Sequence, residues 1–308
     1  MASILSKTKI ATAPGGRPPV AVELSPEGAL AAALPASGQP PVYAFQSLPP
    51  GALIPAIAEP NLLVPEAVAA AIHTALAQVS PRTRNVTLIL PDTLVRVFVL
   101  DFDSIPTKPA EALPVLRFRL RKMVPFDVEH AGVSYQILSE SKSECKVLAA
   151  VIPGPILAEY EAAVRAAGYE PGTVLSTSLA ALQAGDAAHT LEAVLGANLS
   201  TNALTTFIMN GQDLLLYRTL DLPEDSSSRL EEVQRGIAVA SAYFEDKLLA
   251  RPSRLHYAGI GDAHTFARLI EDPELSVVDL APRSAIGAAT SLGNSSIAGV
   301  VGALAGAR

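Results

Sequence analysis

The chain has 308 residues, enough for two ordinary domains or one large bilobal one, and its 49% hydrophobic and 17% charged content fits a globular protein with a substantial core. A net charge of −7 argues against nonspecific nucleic-acid binding, which needs basic surface to displace counterions from phosphates. The single cysteine, Cys145, excludes an internal disulfide framework and a multi-cysteine zinc site, and its strand context reads as a small buried thiol.

In chain order, MASILSKTKI lacks the long apolar run of a secretory signal, so a reducing, cytoplasmic location is the expectation. Of the 25 prolines, 12 fall within residues 14–65, a density that forbids long helices and suits short strands joined by fixed turns. PPVAVEL (18–24) and GALAAAL (28–34) flank Ser25-Pro26-Glu27-Gly28 as a hairpin, and Val42–Leu48 supplies a third strand. Pro65 opens a helix through PEAVAAAIHTALAQV, and the strand VTLIL (86–90) follows. After residue 144 come the strand CKVLAAVI (145–152), a helix over 154–168 ended by Gly168, a short strand near 172–176 and a helix near 178–188.

Residues 191–220 then repeat the opening arrangement, with Asn210-Gly211 as a hairpin turn. A helix over about 228–249 has Ser226, Ser227 or Ser228 as its cap, and RLHYAGI, a helix 263–271, SVVDL and a small-residue terminal helix complete the chain. In that last stretch, 285–305, Gly302 and Gly306 form a G-x-x-x-G spacing, but Asn294, Ser295 and Ser296 break the apolar run. It reads as a helix packed on a sheet rather than a membrane span.

The order β-β-β-α-β…α thus occurs twice. This is a duplicated actin-like (ribonuclease H-like) α/β plan of two lobes, 1–189 and 190–308, with an inserted α+β unit at about 92–152 in the first. Between Tyr217 and RLHYAGIG the chain runs directly through one helix, so the small fourth subdomain of such folds is missing or minimal. The insert concentrates Arg117, Arg119, Arg121 and Lys122 on a helix over 109–126 that stops at Pro125-Phe126. Leu113, Leu116, Leu120 and Met123 form its expected buried stripe, with Pro114 splitting off a short first turn. Arg117 and Arg121 share a face one turn apart; that face is either ordinary solvated surface or a contact for anionic headgroups or an acidic segment.

Leu90-Pro91-Asp92, Val95-Arg96-Val97, Lys122-Met123-Val124-Pro125-Phe126 and Val133-Ser134-Tyr135-Gln136 stand in the order and spacing of fragments in the PilM family of type IV pilus assembly proteins, relatives of the division protein FtsA. Ala298–Arg308 resembles that family's closing helix, so the resemblance covers nearly the whole chain. It implies a cytoplasmic actin-like adaptor, peripheral to the inner membrane through its partners in a pilus or type II secretion platform. The implied ligand is the N-terminal cytoplasmic tail of a PilN-like membrane protein, held near the insert, with Arg117, Arg121, Pro125 and Phe126 as the candidate contacts. An FtsA-like anchor would end in a basic amphipathic tail, and only Arg308 is basic here.

The resemblance also implies ATP with magnesium in the cleft between lobes, held by two Asp-x-Gly hairpins and a glycine turn. The matching positions are Glu23 and Ser25, Asn198 and Ser200, and Gly259 and Gly261. Serine replaces both hairpin glycines and an amide replaces one carboxylate, which removes an anionic ligand that magnesium prefers. A degenerate site with no cofactor and no catalysis is therefore the expectation; an ATP-driven switch and an actin-fold small-molecule kinase are the alternatives. His73, His130, His189, His256 and His264 show no paired spacing, and Asp101 with Asp103 reads as a solvated strand end.

Overall fold

The computed structural model describes residues 17–35, 39–141, 143–184, 192–211, 213–281 and 296–307. The first sheet holds β1 (Val20–Ser25), β2 (Gly28–Ala33), β3 (Val42–Ser47), β4 (Asn85–Leu90) and β8 (Glu170–Ser176), in the order β3-β2-β1-β4-β8. The second holds β9 (Ala193–Leu199), β10 (Ala203–Asn210), β11 (Asp213–Asp221), β12 (Arg254–Gly259) and β13 (Ser276–Asp279), in the order β11-β10-β9-β12-β13. In each sheet the first three strands pair antiparallel and the last two join parallel, so one topology is present twice. The duplicated two-lobed α/β plan read from the sequence is the fold observed.

Between β4 and α3 (Gly154–Ala166) lies the insert: β5 (Arg96–Phe102), α2 (Pro109–Leu120), β6 (Gly132–Glu140) and β7 (Cys145–Ile152), with its antiparallel strands ordered β5-β7-β6. Only Leu222 to Asp225 separate β11 from α5 (Ser226–Leu248), so no fourth subdomain interrupts the second half there.

The first sheet is buried on both faces, which explains why GALAAA reads as a continuous apolar run. Val22, Leu24, Ala29, Ala31, Leu88 and Leu90 face α1 (Pro65–Val79) and α3. The alternate positions Ala21, Leu30, Ala32 and Ile89 face α7 (Ala298–Ala305). On the second sheet, Leu195, Ala197, Leu204, Leu255 and Tyr257 pack against α5 and α6 (Ala263–Ile270). Its opposite face, with Val194, Phe207, Tyr217 and Ala258, meets α4 (Thr177–Ala181) and the insert side chains Val97, Val99 and Leu148. A shared apolar core therefore runs between the halves.

Several local expectations shift. The insert helix ends at Leu120, because a helix cannot run on to the residue before Pro125. Pro114 lies inside it without dividing it; the bond lost is the one its missing N–H would give to Ala110. The buried stripe is Ala112, Leu116 and Leu120, with Leu113 only half buried and Met123 exposed. The cap of α5 is Asp225, whose carboxylate accepts from the Ser228 N–H at 2.9 Å, in place of the three serines. Only Asp101 lies on β5; Asp103 follows its end, and both are exposed.

Cys145 is buried, and that burial raises its thiol above the ordinary value. Gly168, at φ +87°, ends α3 as read. The helix expected near 178–188 is the short α4 (Thr177–Ala181), capped at Leu182. The boundary at 189/190, His189, the N-terminal decapeptide and most of 285–297 lie outside the described residues. No helix among the described residues is long and apolar enough to cross a membrane.

Candidate functional site: the interlobe cavity and the insert

The two hairpins β1–β2 and β9–β10 meet tip to tip, where Thr201 Oγ1 donates to the Glu27 carboxylate. Beneath this contact is a cavity of about 160 Å³ lined by Glu23, Ser25, Asp92, Thr177, Asn198, Ser200 and Gly259, among others. Of the six candidate nucleotide positions, Glu23, Ser25, Asn198, Ser200 and Gly259 are brought together; Gly261 is not among the lining residues and lies just before the Asp262 cap of α6, at φ +80°.

Most of these residues are already in use. Ser25 Oγ reaches back to the Gly28 carbonyl at 3.5 Å, and Ser200 Oγ accepts from the Ala203 N–H at 3.1 Å, so each serine closes its own turn. Arg229 Nη2 donates to the Ser200 carbonyl at 2.7 Å, which fixes the second tip to α5. Gly259 has φ +134°, and a Cβ there would stand 2.2 Å from the Leu199 carbonyl oxygen. Strand packing alone thus requires glycine at this position.

Glu23 is half-buried on β1, with its carboxyl turned into the protein. Burial pushes its carboxyl up to about 8, against a hydrogen bond from Thr177 and with a smaller push from the charge of Asp92. Thr177 Oγ1 stands 3.1 Å from both Glu23 Oε1 and the Leu90 carbonyl, while Glu23 Oε2 has no hydrogen-bond partner among the described residues. That oxygen faces Gly299 of α7, where a Cβ would come within 2.4 Å of it.

Sequence reasoning missed the centre of the site. Asp92, 5% exposed, follows β4 in a 3₁₀ turn, Asp92–Leu94. Its Oδ1 accepts from the Ser178 N–H at 2.9 Å. Its Oδ2 accepts from the Ser178 hydroxyl, from Thr205 Oγ1 at 2.9 Å and from Asn198 Nδ2 at 3.1 Å. Tyr217 OH stands 3.4 Å from Oδ1, and burial first, then Asp92, holds that phenol well above its ordinary range. One carboxylate of the first half therefore gathers donors from β9, β10 and β11 of the second. A lone acidic residue directly after the apolar strand VTLIL was the available signal, and it was read only as part of the Leu90-Pro91-Asp92 fragment.

These residues do not fit a magnesium–nucleotide pair in this arrangement. The volume lies below the roughly 300–1,000 Å³ of ordinary ligand pockets. Asn198 and Asp92 are spent on each other, and Glu23 holds a proton near neutral pH. Among the described residues, no group of three or more His, Cys, Asp or Glu could hold a metal.

In the insert, the structure brings Arg117 and Arg121 to one segment of their own chain. Arg117 donates to the Val128 carbonyl and, at 3.0 Å, to the Ala131 carbonyl, while Arg121 pairs with Glu129. Phe126 is half buried against the insert core beside Val124, and Pro125 is exposed.

No protein-family model matches the sequence, and no curated protein matches it. Among solved structures, the chain is similar to one in the PilM–PilN type IV pilus biogenesis complex, with a TM-score of 0.73, 18% identity, and 94% of this chain and 98% of that one covered. It is also similar to the cytoplasmic domain of EpsL, an inner-membrane component of the type II secretion system of Vibrio cholerae, with a TM-score of 0.51, 14% identity and 92% of each chain covered. At these identities the likeness establishes the fold, and the resemblance read from the sequence fragments has its structural counterpart there.

Proposed function

We propose that this protein is an actin-like adaptor of an inner-membrane assembly platform for type IV pili or type II secretion, which binds the cytoplasmic N-terminal tail of a PilN-like membrane protein beside the insert. The single observation that carries this reading is the extent of the match to the PilM–PilN structure. That match covers 94% of this chain and 98% of the other, which supports a role of the same kind over nearly the whole length. Pro125 and Phe126 are the contacts on this reading, with Arg121 beside them, and Arg117 supports the 128–131 segment from below.

The interlobe cavity works on this reading as a fixed joint rather than a nucleotide switch. Its supports are the hydrogen bonds to Asp92, the protonated Glu23 and the small volume. Association with the membrane comes first through the partner, and no helix among the described residues is long and apolar enough to span a membrane.

The test is a calorimetric titration of the full chain with the PilN-like tail peptide. Binding that weakens at least tenfold in a Phe126→Ala, Arg121→Glu double variant is the expected result, and equal affinity overturns the site. A parallel titration with Mg-ATP is expected to give no heat. A micromolar signal would replace the fixed joint with an ATP-driven switch.

A further inference from the structure

We propose that the outward face of α2 is a docking surface for an anionic phospholipid membrane, a contact separate from the peptide site above. Val115, Phe118, Arg119 and Lys122 stand at positions i, i+3, i+4 and i+7, so they form a single stripe running from α2 into the turn that follows it. Phe118 points away from the buried positions Ala112, Leu116 and Leu120. It is 65% exposed, Met123 41% and Val115 38%. A helix that only packed on its own core would carry polar residues there.

The charge around this crest is equally specific. Of the four cations in the 117–122 run, Arg117 and Arg121 are taken up by the 128–131 segment. Arg119 and Lys122 form no ion pair among the described residues, and Lys122 Nζ stands 6.0 Å from the centre of the Phe118 ring. The one carboxylate of α2, Glu111, is paired with Lys108 at 3.2 Å. A chain of net charge −7 thus presents two uncommitted cations in line with the bare apolar side chains Val115 and Phe118, with exposed Met123 in the turn that follows.

An anionic bilayer meets both halves of this surface at once. Its phosphates take Arg119 and Lys122, and its acyl boundary takes Phe118, Val115 and Met123. A convex helix lies along a flat interface, whereas an acidic peptide would answer the charge and leave the apolar crest in water. Each cation contributes about fivefold in partition, so two give roughly 25-fold. Such a contact binds the isolated chain measurably and multiplies the effect of any other attachment that holds it near the membrane.

Flotation of the full chain with vesicles of phosphatidylglycerol and phosphatidylethanolamine in equal parts tests this, with phosphatidylcholine vesicles as the neutral comparison. The expected result is flotation with the anionic vesicles only, weakened by salt and lowered more than tenfold by Arg119→Glu with Lys122→Glu. Phe118→Ser is expected to lower binding without changing its salt dependence and to leave affinity for the partner peptide unchanged. These side chains are exposed, so circular dichroism of each variant should match wild type. The proposal is overturned if anionic vesicles do not float the chain or if the double variant floats equally well. It is also overturned if a polyglutamate peptide binds more tightly than the vesicles and loses that binding in the double variant, which reassigns the face to an acidic protein.

Discussion

The side-chain amide of Asn198 donates to Oδ2 of Asp92 at 3.1 Å, across 106 positions of sequence and from one half of the molecule to the other. Thr205 Oγ1 reaches the same oxygen at 2.9 Å, and the Ser178 N–H reaches Oδ1 at the same distance. Asp92→Ala leaves these buried donors without their shared acceptor. A loss of roughly 3 kcal/mol is expected, measured by urea unfolding. The exposed Asp101→Ala is expected to change stability by no more than about 0.5 kcal/mol.

Glu23 predicts a slope of stability with pH. Its carboxyl titrates near 8 when folded against an ordinary 4.5, so between these values the folded chain holds a proton that the unfolded chain has released. Stability therefore falls as pH rises through that window and levels off above about 8, a loss of up to about 5 kcal/mol. Glu23→Gln keeps an oxygen for Thr177 and removes the titration. Urea midpoints from pH 5 to 9 should fall for wild type and stay flatter for the variant, apart from groups common to both.

Gly302 packs against α4 so closely that a Cβ would lie 1.9 Å from the Ala180 carbonyl oxygen. Alanine is the better helix former by about 1 kcal/mol, but here the steric conflict is with backbone and outweighs it. Gly302→Ala is expected to lower the melting temperature, by a destabilisation of about 2 kcal/mol. Gly306→Ala meets the flexible side chains of Arg17 and Gln183 instead and should cost less.

Arg117 and Arg121 are one turn apart with different roles. Arg117→Ala removes a charged donor from two backbone carbonyls and is expected to cost about 1.5–3 kcal/mol. Arg121→Ala removes a solvent-exposed ion pair and should cost less than about 1 kcal/mol. Denaturant unfolding of both variants separates the two.

The strands were legible because alternation and turn chemistry are local. Ser25-Pro26-Glu27-Gly28 and Asn210-Gly211 mark hairpins wherever the chain goes. The duplication followed from the order of those elements. The Asp92 cluster was not legible, since its partners lie 86 to 125 positions away and a hydroxyl on a strand carries no mark of where it points. On α2 the buried positions Leu116 and Leu120 were legible, but Met123 is as apolar as they are and is exposed, so hydrophobicity alone did not fix where the buried stripe ends. Spacing paired Arg117 with Arg121, but only the fold shows carbonyls of residues 128 and 131 waiting beneath.

The placement of α7 on the first sheet has a consequence for synthesis. Ala21, Leu30, Ala32 and Ile89 reach the ribosome exit early, yet Ile297, Val300, Ala303 and Leu304 cover them. At ordinary translation rates that apolar face stays bare for on the order of tens of seconds. During that interval the nascent chain exposes an aggregation-prone face, and the first lobe closes only after the second has emerged.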